Sequence, residues 1–363
     1  MTISIPTEPI GSIPRPVHLI EAYDNYSKGK ISKEDLDKIA LEATIDTIRR
    51  FEDTGSPCIS DGEQLKFEGF ASYCFHGAKD LKPGSASLIF TDGHKRIIPH
   101  LSKGPFRYQL SADQFLKRAL KYAKVPVKQA VISPSMISFA YPNSGIPNYN
   151  RREFIRDLLS DHVSELEHCL ELGAHTVQID FTEARYSLKL DPSRELLSNM
   201  VDLINSGLEL LSEEQRKRIG IHTCPGSDRD TTHSQDIDYK ELLPTLFKID
   251  AGKFFVAMVG EEEPERALRI IKFLLRPGIR VFIGVINPID PNIETPEIVR
   301  DRVLQAAKFI PVNQLGTTDD CGFSPFVDDY STSRDIAFSK IEARVKGTKL
   351  AEIELNGQLV HSK

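Results

Sequence analysis

His222 and Cys224 stand two residues apart at the end of the apolar run RIGIHTC, and Cys321 follows much later in DDCGF. In an extended strand residues i and i+2 share a face, so the imidazole and the first thiol point the same way while Thr223 points to the other. One imidazole and two thiolates make a soft donor set suited to Zn2+, and three protein ligands leave the fourth tetrahedral position for a substrate. The glycine after Cys321 permits a tight turn that presents the sulfur. Each residue alone has a plainer use: a strand cysteine is commonly a small buried hydrophobe, and a histidine beside it commonly satisfies a backbone carbonyl. The third ligand at another strand end tips the reading toward a metal.

Other polar residues also fall at the ends of strand candidates: Ser12 on the first, Glu63 on the second and Asp180 on the fourth. Glu63 and Asp180 have a plain alternative as ion-pair partners of Arg15, Lys66 or Arg185. Asp228, Asp230, Thr231 and Ser234 read as a solvated loop before a helix, with Asp238 and Glu241 spaced as a capping box.

The elements that must position these groups form a regular alternation. Strand candidates span 8–13, 57–63, 130–136, 175–180, 218–224, 253–259, 280–286 and 314–322. Helical patterns lie between them: 33–55 closing on Gly55, 152–172, and a run opening on Thr295 with Pro296 at the first helical position. Eight strand–helix units predict an α/β fold, a (β/α)8 TIM barrel in one domain over 1–363, with its chemistry at the C-terminal strand ends. Residues 67–128 do not fit one such unit; SASLIF and RIIPHL around TDGHK predict a β-hairpin insertion between strands 2 and 3, a lid or an oligomer contact.

The composition suits a globular chain with a sizeable core: 363 residues, 40% hydrophobic and 27% charged. Forty-six basic against 52 acidic residues give a formal charge of −6 without a basic block, which argues against nucleic acid. No secretory leader or membrane-length apolar run is evident, and five cysteines are an odd, sparse set, so a cytoplasmic, reducing setting is expected.

The segments IGSIPR (10–15), DGE (61–63), QID (178–180), HTC (222–224) and DDCG (319–322), in that order, resemble the C-terminal catalytic barrel of the cobalamin-independent methionine synthase family. The resemblance covers nearly the whole chain. It implies Zn2+ bound by His222, Cys224 and Cys321, and alkyl transfer, methyl first, to the thiol of homocysteine held as a zinc-bound thiolate. It also implies that Glu63 and Asp180 hold the substrate ammonium and that Ser12 contacts the substrate. The partners are then a small-molecule thiol and an alkyl donor, with no nucleic acid and no membrane; a homo-oligomer is compatible with it.

Two departures from the family pattern matter. A glutamate that also binds zinc in the family is replaced in DAGKFFVAMVG by Ala257 or Met258, the nearest acids being Glu261 to Glu263. The chain also has no tryptophan, leaving Phe139 or Tyr141 as aromatic surfaces for a donor, with Asp290 as a further donor contact. These departures point also to the related epoxyalkane:coenzyme M transferase, in which a thiol opens an epoxide; its sulfonate would need a cation such as Arg15 or Arg185. A non-catalytic metal-binding barrel is the reading from another class.

Overall fold

A computed structural model describes residues 2–66, 69–84, 87–93, 95–226, 232–329 and 331–361, with backbone alone for 359–361. Asp228, Asp230 and Thr231 of the expected solvated loop lie outside the described residues.

Ten strands are described: β1 (Leu81–Lys82), β2 (Ser87–Ile89), β3 (Lys95–Ile97), β4 (His100–Leu101), β5 (Lys128–Ile132), β6 (Thr176–Asp180), β7 (Ile219–Thr223), β8 (Lys253–Val256), β9 (Arg280–Ile286) and β10 (Leu315–Asp319). The last six form one parallel sheet in the order β10-β9-β8-β7-β6-β5. Helices fill every crossover, among them Arg151–Glu171, Tyr239–Leu246, Pro264–Leu274 and Pro296–Ala307, and Arg334–His361 follows β10. With helices outside and side chains packed inside, β5, β6, β7 and β10 are buried at every residue, as expected of parallel strands covered on both faces.

The paired sheet has six strands and does not close, where eight were expected. The first two candidates touch it through single bridges, Thr7 to Thr317 on β10 and Ile59 to Val127 just before β5. Backbone chemistry explains why neither continues as a ladder. Pro6, Pro9 and Pro14 lack the N–H that a ladder needs, and Gly62 and Glu63 adopt left-handed φ values of 67° and 59°. The two segments still meet: Ile13 N–H donates to the Gly62 carbonyl at 3.1 Å, and Ser60 Oγ to the Gly11 carbonyl at 2.6 Å.

Local signals set the other boundaries. The third candidate ends at Ile132 because Ser133 caps a short helix, Pro134–Ser138, accepting from Met136 N–H with proline in the first turn. Thr295 caps Pro296–Ala307 in the same way, as expected. Asp238 caps Tyr239–Leu246 by accepting from Lys240 N–H, but Glu241 pairs with Arg194 and no capping box forms. Within 67–128, β2 and β3 make the expected antiparallel hairpin, Ser87 opposite Ile97, and β1 pairs with β4 at its base.

The C-terminal helix is tied to the sheet by buried charge. Arg344 Nη1 meets Asp319 Oδ2 at 2.5 Å at the end of β10, and Lys340 Nζ meets Glu294 Oε2 at 2.7 Å. Its last turns also receive the N-terminus: Ile5 N–H donates to Glu352 and Ile3 N–H to Asn356. Among the described residues no helix is long and apolar enough to cross a membrane.

Candidate active site

The C-terminal strand ends bring His222, Cys224 and Cys321 together. Their ligand-capable atoms all lie within 4.8 Å of one another, and all three side chains are buried. Cys321 Sγ is 3.6 Å from His222 Nε2. A tetrahedral zinc with bonds of about 2.3 Å to sulfur and about 2.0 Å to nitrogen spaces those atoms about 3.5 Å apart. The donor types and their spacing therefore fit such an ion. Burial opposes ionisation of both thiols. The hydrogen bond from Cys321 and the imidazole of His222 nevertheless draw Cys224 well below the ordinary thiol range, while burial and the neighbouring Cys224 push Cys321 up.

Ala257 forms a small buried cluster with Cys224 and Cys321. It is thus Ala257, rather than Met258, that occupies the place from which an acid would reach the ligands; Met258 belongs to the main core. The loop behind it is pinned by Asp320, whose carboxylate accepts from the N–H groups of Met258, Val259 and Gly260 at 2.8, 3.0 and 2.9 Å. This cradle stops β8 at Val256, short of the expected 259. Glu261 is held by Arg185 at 2.7 Å and is not in the ligand cluster.

Two carboxylates face the same cavity. Asp180 ends β6, and its Oδ1 accepts from Gln178 Nε2 at 2.7 Å. Glu63 sits in the left-handed turn, with Oε1 3.5 Å from Lys66 Nζ and Oε2 buried without a hydrogen-bond partner. A non-glycine residue at that φ is uncommon and is characteristic of places where side-chain direction matters more than backbone comfort. Burial raises both carboxyls above their ordinary range; Lys66 offsets this in each, and the charge of Asp180 adds to it in Glu63.

These groups line one cavity together with the polar residues Ser12, Thr182 and His233 and the apolar residues Phe70, Leu88, Phe90 and Phe326. No lysine or arginine lines it among the described residues. Arg15 is spent on the carbonyls of Glu63, Lys66 and Ser324, and Arg185 on Glu261 and the carbonyls of Gln235 and Ile237.

No family model matches the chain. A methionine synthase of Sulfurisphaera tokodaii is 25% identical over 358 residues, 98% of this chain and 94% of the relative. One of Saccharolobus solfataricus is 24% identical over 353 residues, 97% and 96% of the two chains. The solved B12-independent methionine synthase of Shewanella sp. W3-18-1 superposes with a TM-score of 0.75 at 20% identity, covering 97% of this chain and 98% of that one. A putative vitamin-B12-independent methionine synthase from Listeria monocytogenes gives 0.67 at 19% identity, covering 96% and 98%. Over nearly its whole length the chain is similar to methionine synthases, and it shares the fold of the solved B12-independent enzymes.

In this methionine synthase relative, Ser12, Glu63, Asp180, His222, Cys224 and Cys321 share one cavity. The expected donor contacts do not. Tyr141 Oη donates to the Tyr149 carbonyl and its ring packs on Phe154; Phe139 packs against the main core; Asp290 accepts from Asn292 within its own turn. The aromatic wall comes instead from the hairpin and the loop after β10, through Phe90 and Phe326, whose rings meet at 6.3 Å. Sequence reading marked the hairpin but had no periodicity from which to place its tip. It also passed over Glu183, buried after β6, whose Oε1 accepts from Ser133 and Ser135 and whose carboxyl burial lifts to about 7.

Gly322 is required for space and not for an unusual φ, which corrects the reason given from sequence. A methyl there would overlap Ser12 Oγ, which already accepts from Ser324 N–H at 3.2 Å. Gly322→Ala should therefore displace Ser12 or Cys321 and destabilise the fold by about 1–3 kcal/mol, the usual cost of overpacking. Denaturant titration checks this; an unchanged midpoint would show that the turn relaxes freely.

Proposed function

We propose that this protein transfers an alkyl group, methyl first, to the sulfur of homocysteine, with Zn2+ held by His222, Cys224 and Cys321. The observation that carries the reading is the convergence of two thiols, an imidazole and two buried carboxylates on one cavity. Relatives named methionine synthase over nearly the whole chain support the same acceptor. We also read the two bridged N-terminal segments as the first strands of a (β/α)8 barrel, making 1–363 one domain with 67–128 inserted.

Zinc would supply a Lewis acid that keeps a substrate thiol, ordinarily protonated near neutral pH, as thiolate. The remaining work belongs to the chain. Glu63 and Asp180 receive the α-ammonium, whose charge offsets the burial that lifts their carboxyls. Gln178 fixes Asp180, and the left-handed turn aims Glu63. Phe70, Phe90 and Phe326 exclude water from the sulfur, which keeps a small anion reactive. Among the described residues the lining has no lysine or arginine, which favours an ammonium thiol over a sulfonate such as coenzyme M.

The test combines metal analysis with a screen of thiols against methyl donors and epoxides. About one zinc per chain is expected, with a sulfur-rich first shell that gains a sulfur when homocysteine is added. S-alkylated homocysteine should be the product by mass spectrometry. A metal whose coordination ignores every thiol would instead favour a non-catalytic metal-binding role. Ala257→Glu should put a carboxylate beside both sulfurs, tighten zinc and shift the donor range away from strained electrophiles; unchanged zinc affinity would show that residue 257 does not reach the ion.

A further inference from the structure

His233 lines the cavity and is almost wholly buried, yet nothing in the reading above uses it. Its ring is fixed edge-on between Phe90 at 6.2 Å and Tyr186 at 5.6 Å. Its backbone is fixed as well: the N–H donates to the Pro225 carbonyl, and its own carbonyl accepts from Lys189 Nζ. Nδ1 lies 2.8 Å from Ser234 Oγ, and Nε2 has no hydrogen-bond partner among the described residues.

The tautomer follows from Ser234. That hydroxyl is fully buried and has Nδ1 as its side-chain partner, so its proton is best used by donating to Nδ1. Nε2 then carries the hydrogen. Burial holds the imidazole down to about 4, so the ring is neutral at physiological pH and offers an N–H without a charge.

We propose that His233 donates Nε2–H to the leaving atom of the alkyl donor and so selects donors whose leaving atom is oxygen or nitrogen. This rests on the alkyl-transfer reading. In that transfer the thiolate lone pair forms the S–C bond, and the bond from carbon to the leaving atom breaks with its electrons staying on that atom. The proton it finally keeps comes from water, and the thiol's own proton has gone to solvent. A neutral N–H aimed at the atom where charge collects lowers the barrier without adding a positive charge beside the metal site. A sulfonium donor leaves as a thioether, a weak acceptor that gains little from it.

The test uses the zinc-loaded full chain with L-homocysteine and three donors: 5-methyltetrahydrofolate, epoxypropane and S-methylmethionine. His233→Phe keeps an aromatic ring between Phe90 and Tyr186 and removes the N–H; His233→Gln keeps an amide N–H. With the nitrogen or oxygen donors, His233→Phe should lose kcat by about a hundredfold, the usual cost of one such donor. The loss should be at least tenfold smaller with the sulfonium, and His233→Gln should recover part of it. Equal losses across the donors, turnover of the sulfonium alone by wild type, or a nitrogen-15 spectrum placing the proton on Nδ1 would each overturn the proposal. Wild type that turns over no donor would overturn the alkyl-transfer reading itself, and the proposal with it.

Discussion

Cys224→Ala or Cys321→Ala is expected to lower zinc affinity on the order of a thousandfold or more and to abolish alkyl transfer, because each removes one of the three proposed protein ligands. Ala257 clusters with Cys224 and Cys321 and carries no donor atom, and Glu261 is committed to Arg185. The other three cysteines provide the control. Cys58, Cys74 and Cys169 are also buried and free, and none belongs to the cluster with His222. Cys169→Ala should cost some stability through lost packing but leave zinc in place. Chelator competition on the three variants decides the matter. Full retention of zinc by both Cys224→Ala and Cys321→Ala would remove the basis of the functional reading.

Asp180→Asn should weaken homocysteine by about 2–4 kcal/mol, on the order of a hundredfold, by taking one charge from the pair proposed to receive the ammonium. The amide keeps the shape and can still accept from Gln178, so the loss measures charge and not a collapsed cavity. The comparison thiol is 4-mercaptobutanoate, homocysteine without its amine, whose affinity should change far less. Because burial raises both carboxyls, wild-type affinity for homocysteine should fall as pH is lowered through that raised range, while the amine-free thiol should not follow it. Calorimetry with both thiols checks each point; parallel losses would make Asp180 a structural residue and reopen the question of the acceptor.

What could be read from the sequence was mostly local. Thr295 and Pro296 carry their own helix start, and β9 occupies the whole of its candidate because its β-branched run needs no help from distant residues. The strand alternation that paired His222 with Cys224 also held. The misplaced boundaries came from groups remote in sequence: Asp320 gathers the amides of 258–260 and ends β8, and the prolines near the N-terminus leave only bridges where a strand was expected. Ser133 followed by Pro134 was a readable helix start that the apolar run around it obscured. The wall of the cavity was the least legible part. Nothing in SASLIF says that Phe90 will lie against His233, because that contact depends on how the hairpin folds over the loop after β7. His233 stood in view beside Ser234, but a lone histidine in a polar loop gives no sign that its ring will be buried between two aromatics.

The contacts of the N-terminal segment have a consequence for how the protein is made. Thr7 and Glu8 pair with Thr317, Ser12 meets Ser324, and Ile3 and Ile5 are held by the C-terminal helix. On a ribosome adding about 5–20 residues per second, the first residues therefore wait many seconds for their partners. During that interval the edge of β5 has its neighbour at Ile59, whereas the opposite edge of the growing sheet is bare. His222 and Cys224 have then already emerged without Cys321. Under the metal reading, the three proposed ligands come together only after β10 has emerged. A nascent chain stalled before β10 should expose an unpaired sheet edge and a half-built thiol site, the state most open to aggregation and oxidation.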